Sequence, residues 1–198
     1  MLRIGVLASH EGTTLQSIID ACGQGRINGR VVVVISNNSA SGALRRAAAA
    51  GIDTLHVSSV THPSTDALDA AIRDALRRAR ADVIFLAGYM KRLGPRTLAA
   101  FPKRILNTHP ALLPKFGGHG MFGDRVFDAV LTAGESESGA SVHLVDAEYD
   151  TGAVVRQERV RVLPGDTVES LKSRIQACER EVVVRTLAAI ASGELPFG

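Results

Sequence analysis

The chain has 198 residues, of which 45% are hydrophobic and 22% charged, with a net charge of +3; this fits one globular domain with a large core and excludes wholesale disorder. Aromatics make up only 4% and Trp is absent, so the core must be filled by Val, Ile, Leu and Ala, as in a buried parallel sheet. No run approaches the roughly 18 apolar residues of a membrane span, the first apolar stretch is too short for a signal peptide, and neither CxxC nor HExxH occurs, so the sequence shows no zinc-site spacing.

Arg3 to Ala8 reads as a strand, followed by a Gly-containing turn and a helix from about Thr14 to Ala21. Arg30 to Ser36 is a fully apolar strand, Gly42 to Ala50 a helix stopped by Gly51, and Thr54 to Ser58 a third strand. Pro63-Ser64 opens a helix to about Arg80, and Val83 to Ala87 is a fourth strand. Pro95 to Phe101 is a short helix and Arg104 to Thr108 a fifth strand. Alternating helices and continuous apolar strands predict βαβ units: a Rossmann-like α/β domain over 1–198, mostly parallel, with helices on both faces. The second half changes character. Pro110 to Gly123 is a Gly- and Pro-rich loop, and Asp124 to Ala133 a helix. Ser138 to Val145 and Val154 to Val162 are strands, the first alternating apolar with polar, and the last helix runs from about Thr167 to Ala191.

The basic stretch Arg73, Arg77, Arg78 and Arg80 is interrupted by Asp74 and Asp82 and has no aromatic neighbours. It reads as a solvated helix face, not a nucleic-acid site. Cys22 and Cys178 lie far apart in helical patterns and read as reduced and half-buried. The expected compartment is the cytoplasm, with no nucleic-acid or membrane partner and the oligomeric state left open.

In open parallel sheets ligands bind beyond the carboxyl ends of the strands. Four segments there carry unusual residues. The first is Ser9-His10-Glu11-Gly12-Thr13-Thr14. Gly12 permits close backbone approach, and a helix N-terminus with two hydroxyls makes a phosphate cradle, although the same residues also form an ordinary N-cap. There is no GxGxxG, which argues against a dinucleotide. The second, Gly88-Tyr89-Met90-Lys91-Arg92-Leu93, offers an apolar wall with free backbone groups suited to a flat heterocycle, or simply a locally packed loop.

The third segment is Asn107-Thr108-His109-Pro110-Ala111-Leu112-Leu113-Pro114. Asn107 and His109 are two apart at a strand end, so their side chains leave the same face. A lone His there is more often structural; an Asn and a His together at a ligand edge shift the balance toward function. The fourth is Ser141-Val142-His143 with Asp146 to Gly152, an acidic loop that can deliver a carboxylate to His109.

Together these motifs resemble the phosphoribosylglycinamide formyltransferases, the folate-dependent transformylases of purine synthesis, over nearly the whole chain. The carriers are Asn107-Thr108-His109-Pro110 with Leu112-Leu113-Pro114, Ala87-Gly88-Tyr89-Met90, and Ser141-Val142-His143 with Asp150-Thr151-Gly152. By that resemblance Asn107, His109 and Asp150 are the catalytic trio. Gly12, Thr13 and Thr14 hold the substrate phosphate, Met90, Lys91, Arg92 and Leu93 line the folate site with Asn107, and Glu179 holds the ribose hydroxyls. The resemblance implies 10-formyltetrahydrofolate as cosubstrate, phosphoribosylglycinamide as acceptor and no metal. It places the phosphate-binding units in the N-terminal half and the folate and catalytic elements in the C-terminal half. The chain departs from the family at the first turn, where His10 replaces a Gly and Thr13-Thr14 a Ser-Asn pair. It departs again at Ser64-Thr65-Asp66, where many members carry an Arg.

The residue types suit the reaction. Amine attack on a formyl carbon gives a negative oxygen and a positive nitrogen. Asn107 can donate to the oxygen, His109 can donate or carry the proton, and Asp150 can favour the charged imidazole. The rivals are a formyltetrahydrofolate hydrolase, another formyltransferase of the superfamily, or a non-catalytic phosphate-binding module. The first two are expected to carry extra domains for which 198 residues leave no room, and the last needs no Asn107, His109 and Asp150 convergence.

Overall fold

The computed structural model describes residues 1–197; Gly198, the last residue of the expected domain, lies outside the described residues. The strands are β1 (Leu2–Ala8), β2 (Gly29–Ser36), β3 (Thr54–His56), β4 (Val83–Leu86), β5 (Ile105–His109), β6 (Glu137–Leu144) and β7 (Val154–Arg161). The helices are α1 (Thr13–Gly23), α2 (Gly42–Ala49), α3 (Thr65–Arg78), α4 (Pro95–Ala100), α5 (Asp124–Thr132) and α6 (Val168–Ser192). One seven-stranded sheet runs β3-β2-β1-β4-β5-β6-β7. The first five strands pair in parallel, whereas β6 and β7 join antiparallel. The single-domain, Rossmann-like α/β architecture is therefore the one the periodicity predicts.

Strand residues on one face of the sheet, including Ile4, Val6, Val34 and Phe85, pack with α1, α2 and α6. Those on the other face, including Leu7, Ile35, Ile84 and Ile105, pack with α3 and the end of α4. Burial on both faces explains why the parallel strands read as unbroken apolar runs. β6 departs from the alternation its sequence predicts. Gly139, Ala140, Ser141, Val142 and His143 are all buried, because β6 sits between β5 and β7 and is covered as well by α6. Its polar residues face a buried site rather than solvent.

Side chains cap the starts of three helices. Ser41 and Ser64 accept from Leu44 N and Ala67 N at the starts of α2 and α3. α6 opens on a reciprocal cap between Thr167 and Ser170, a capping box closed by a serine. α1 has no side-chain cap; its N-cap is Gly12, left-handed at φ 71°.

Candidate active site

β1 and β4 are neighbours, yet the chain leaves β1 toward β2 and β3 on one side and β4 toward β5 on the other. That is the strand-order reversal where α/β sheets open a crevice beyond their carboxyl ends. Ser9 joins the two loops there. Its hydroxyl donates to Asn37 Oδ1 at 2.6 Å and accepts from Met90 N at 2.8 Å.

One side of the crevice is a cleft of about 230 Å³ lined by Gly12, Thr13 and Thr14 with Gln176, Glu179 and Arg180. The first helical hydrogen bond of α1 is Gln16 N to Gly12 O, so the preceding amides of the turn lack intrahelical acceptors and face an anion favourably. The turn is held rigidly: Ala43 N donates to His10 O, and Arg46 Nε to Glu11 O at 2.8 Å. A Cβ on Gly12 would lie 2.7 Å from Ala43 Cα and 2.9 Å from Ala43 Cβ. Gly12 thus serves close packing on α2 as much as close approach of a ligand. Gly12→Val is expected to raise the acceptor KM at least tenfold with a smaller effect on the folate KM. Steady-state kinetics with each substrate varied in turn would check it, and an unchanged acceptor KM would count against the cradle.

Glu179 is half-buried at this cleft, and burial pushes its pKa up to about 7, against smaller opposing effects of Thr108 and Arg180. The Thr108 hydroxyl lies beside the carboxyl but meets no partner with hydrogen-bond geometry. The folded-state pKa of Glu179 exceeds its ordinary 4.5, so between those values the folded protein holds the extra proton. Stability then falls as pH rises through this window. Glu179→Gln is expected to flatten that loss, seen as a melting temperature less sensitive to pH between 5 and 7. A parallel pH dependence in wild type and variant would refute it.

The second cleft, narrower at about 70 Å³, is lined by Tyr89, Lys91, Arg92 and Leu93 from one wall and by Asn107 and the Asp146–Asp150 loop from the other. Arg92 latches that loop. It donates to the Ala147 carbonyl, lies 3.4 Å from Glu148 Oε1, and stacks 5.4 Å from the Tyr149 ring. Met90 does not line the cleft with its neighbours; its amide goes to Ser9. The buried Tyr89 hydroxyl has no partner, and burial pushes its pKa up to about 12.

Between the clefts stand the polar residues at the end of β5. The register pairs Asn107 with His143 and His109 with Ser141, so all four share one neighbourhood. His109 and His143 are 4% and 2% exposed, too buried to remain unpaired. His109 Nδ1 lies 3.4 Å from Asp150 Oδ2, and its Nε2 is 2.7 Å from the Phe116 carbonyl; a carbonyl only accepts, so Nε2 carries the proton. His143 Nδ1 donates to Leu144 O at 2.8 Å. Its Nε2 stands 3.2 Å from Asn107 Nδ2 and 3.4 Å from Asp150 Oδ1. With the ring neutral, Nε2 accepts from Asn107; with it protonated, it donates to Asp150.

Asp150 reaches this position from a left-handed backbone, φ 57°, a conformation Asp tolerates better than most residues. Asp146 braces the loop by accepting from Glu148 N and Thr151 Oγ1. Burial of Asp150 opposes ionisation, but His143, His109 and the Gly118 amide at 3.0 Å outweigh it and hold the carboxyl below its ordinary range. For His109 the balance goes the other way. Burial lowers its pKa, and the pull of Asp150 and Phe116 only partly offsets that. The free protein therefore carries an Asp150 carboxylate facing a largely neutral His109 at pH 7, not the standing imidazolium that an acid beside a histidine leads one to expect.

The structure thus brings Asn107, His109 and Asp150 into one cluster, and Gly12, Thr13, Thr14 and Glu179 into one cleft. Two residues of the fourth segment, His143 and Ser141, gain definite partners, and Gln157 enters as a residue the sequence reading did not single out. His143 links Asn107 to Asp150. Ser141 accepts from Leu113 N and donates to Ala111 O, and Gln157 donates to Ser141 Oγ and Leu113 O, so together they pin the loop after β5. The advance signals for Ser141 and His143 were their motif beside the acidic loop and the polar alternation of β6; Gln157 had none. His119 is exposed, its ring 6.0 Å from that of Tyr149. Among the described residues no helix is long and apolar enough to cross a membrane, and no group of three or more His, Cys, Asp or Glu converges as a metal site. A hollow of about 480 Å³ beside Arg3, Cys22 and Asp53 holds none of the cluster.

Comparison with known proteins agrees with this geometry. Residues 2–187 match the formyl transferase family. A phosphoribosylglycinamide formyltransferase of Mycobacterium tuberculosis is 44% identical over 191 residues, spanning 96% of this chain and 85% of its own. A glycinamide ribonucleotide transformylase from Symbiobacterium toebii superposes with a TM-score of 0.90 at 44% identity, covering 98% of this chain and 89% of that one. A formyltetrahydrofolate deformylase from Pseudomonas syringae superposes at 0.84 with 25% identity, covering 97% of this chain and 62% of that one. The fold, the two clefts and these matches agree, and the chain belongs to the formyl transferase family.

Proposed function

We propose that the protein transfers the formyl group of 10-formyltetrahydrofolate to the amine of 5′-phosphoribosylglycinamide, a step of purine synthesis. The observation that carries this reading is the Asn107, His109, Asp150 and His143 cluster standing between an anion-suited cleft and a second cleft with an apolar wall. The phosphate rests on the amides of Gly12 to Thr14, and Glu179 takes the ribose hydroxyls. The folate ring enters between Lys91–Leu93 and the Asp146–Asp150 loop, which opens as Arg92 releases it. The folate is a substrate here, and nothing else need be bound for the transfer.

The chemistry follows from donors already in place. The acceptor amine attacks the formyl carbon and charge gathers on the formyl oxygen. Asn107 Nδ2–H donates to that oxygen without changing its own charge. When substrate enters, the Phe116 carbonyl gives way and the neutral ring takes the Nδ1–H tautomer, donating to the Asp150 carboxylate, so that the Nε2 lone pair faces the reacting atoms. Nε2 then accepts the proton released by the ammonium and passes it, directly or through a water, to the departing folate nitrogen, while the Asp150 carboxylate stabilises the transient imidazolium. No covalent intermediate with the protein is needed.

Incubating the purified protein with 10-formyltetrahydrofolate and phosphoribosylglycinamide tests this directly, by following formation of the formylated amide and release of tetrahydrofolate together. Stoichiometric transfer is expected, with slow folate release when the acceptor is left out. Equal rates of folate release with and without acceptor would show that water is the true acceptor and favour the hydrolase reading. Neither product would favour a binding module.

A further inference from the structure

Arg180, one residue beyond Glu179 on α6, is half-buried and makes no hydrogen bond or ion pair among the described residues. Its neighbours on that helix differ. Arg174 is paired with Asp166, and Arg185 with Glu158 and Glu181. A guanidinium offers five donors in a rigid planar fork, and leaving it partly buried and unanswered is unfavourable unless something else answers it. Arg180 lines the same cleft as Gly12, Thr13 and Thr14. The cations of α2 nearest the turn are already committed: Arg46 to Glu11 O and Gln16 Oε1, and Arg45 to Ala40 O and the Glu11 carboxylate.

Polar groups that the protein leaves unanswered thus face this cleft from two sides: the amides at the start of α1 and the guanidinium of Arg180.

Resting on the reading that a phosphorylated acceptor occupies this cleft, we propose that Arg180 is the side chain that selects for the acceptor's phosphate, closing the open side of the α1 cradle with a two-pronged contact to its oxygens. The backbone amides supply shape and partial charge, and Arg180 supplies the full positive charge that distinguishes a phosphate ester from a free hydroxyl. Charge-assisted, two-pronged contacts are among the stronger hydrogen bonds, and losing one costs roughly 10- to 100-fold in binding. Arg180 touches no reacting atom, so its removal should leave the chemical step intact.

The test compares wild type, Arg180→Ala and Arg180→Lys with phosphoribosylglycinamide and with its dephosphorylated riboside. For Arg180→Ala, the KM for the phosphorylated acceptor should rise about 10- to 100-fold, with kcat and the folate KM within about twofold. The KM for the riboside should hardly move, so preference for the phosphorylated acceptor collapses. Arg180→Lys should recover part of the preference, since it keeps the charge and loses the fork. Inhibition by inorganic phosphate should weaken in the same order. A merely structural role would move both acceptors and the folate together, and that result overturns the proposal, as does an unchanged preference in both variants. If wild type itself transfers no formyl group to phosphoribosylglycinamide, the functional reading falls instead, so the two failures are distinguishable.

Discussion

His109→Ala is expected to lower kcat by about a thousandfold while leaving the KM of either substrate within a few-fold. The magnitude comes from what the ring supplies in the transition state. A positioned acid or base is worth roughly a hundred- to ten-thousandfold, and a thousandfold corresponds to about 4 kcal/mol of barrier. The ring is unsuited to contribute to ground-state binding. It is 4% exposed, with Nε2 on the Phe116 carbonyl and Nδ1 toward Asp150, and it engages substrate only when that carbonyl gives way. The fold should survive the loss. Asp150 keeps the Gly118 amide and His143 as partners, and Ser141 and Gln157 still pin the loop after β5. Single-turnover measurements with both substrates saturating isolate the step. A kcat within tenfold of wild type would remove His109 from the chemistry, and a large rise in KM with an unchanged kcat would recast it as a binding residue.

How far the sequence carried toward this site depends on which interactions are local. Of the five parallel strands, all but the edge strand β3 are largely buried on both faces, and runs such as Val31 to Ile35 were legible for that reason. Asn107 and His109 could be placed on one face because strand periodicity is local. Asp150 could be suggested but not placed: its approach depends on a left-handed residue in a loop braced by Asp146. His143 was visible within its motif, but its partner was hidden for a different reason. Its opposition to Asn107 is a property of the antiparallel β5–β6 register, which pairs residues 36 positions apart and leaves no trace in either segment alone. The alternation in β6 was visible, but it does not say what its polar face meets. Both faces are covered, so a polar residue there is the sign of a buried site. The protonation state of His109 was illegible for a third reason. It is set by the competition between burial and the carboxylate, and only the folded environment decides which wins.

That competition carries the second large prediction, Asp150→Asn. The amide keeps the size and can still accept from the Gly118 amide, and Asn tolerates the left-handed backbone at φ 57° as readily as Asp does. What is lost is the negative charge between two histidines, at 3.4 Å from His109 Nδ1 and 3.4 Å from His143 Nε2. The transient imidazolium then forms in a buried site with no counter-charge, so kcat should fall about a hundred- to ten-thousandfold. The pH dependence should move as well, and its sign is fixed. Asp150 raises the His109 pKa against burial, which lowers it; without the carboxylate only the lowering influence and the weaker Phe116 contact remain. The limb of the rate profile that belongs to His109 must therefore shift to lower pH, whether the reaction uses the ring as acid or as base. Stability gives an independent check. The Asp150 carboxyl sits below its ordinary range, so it contributes stability that is full above about pH 4 and disappears as pH falls through its folded-state value. The variant lacks that contribution at neutral pH and should show a shallower loss in acid. The kinetic effects of His109→Ala and Asp150→Asn should combine far below their product, because the carboxylate acts only through the ring that the first substitution removes. Multiplicative losses in the double variant would mean that Asp150 works through His143 and Asn107 instead, and a profile that drops without shifting would mean that its charge does not act on His109 at all.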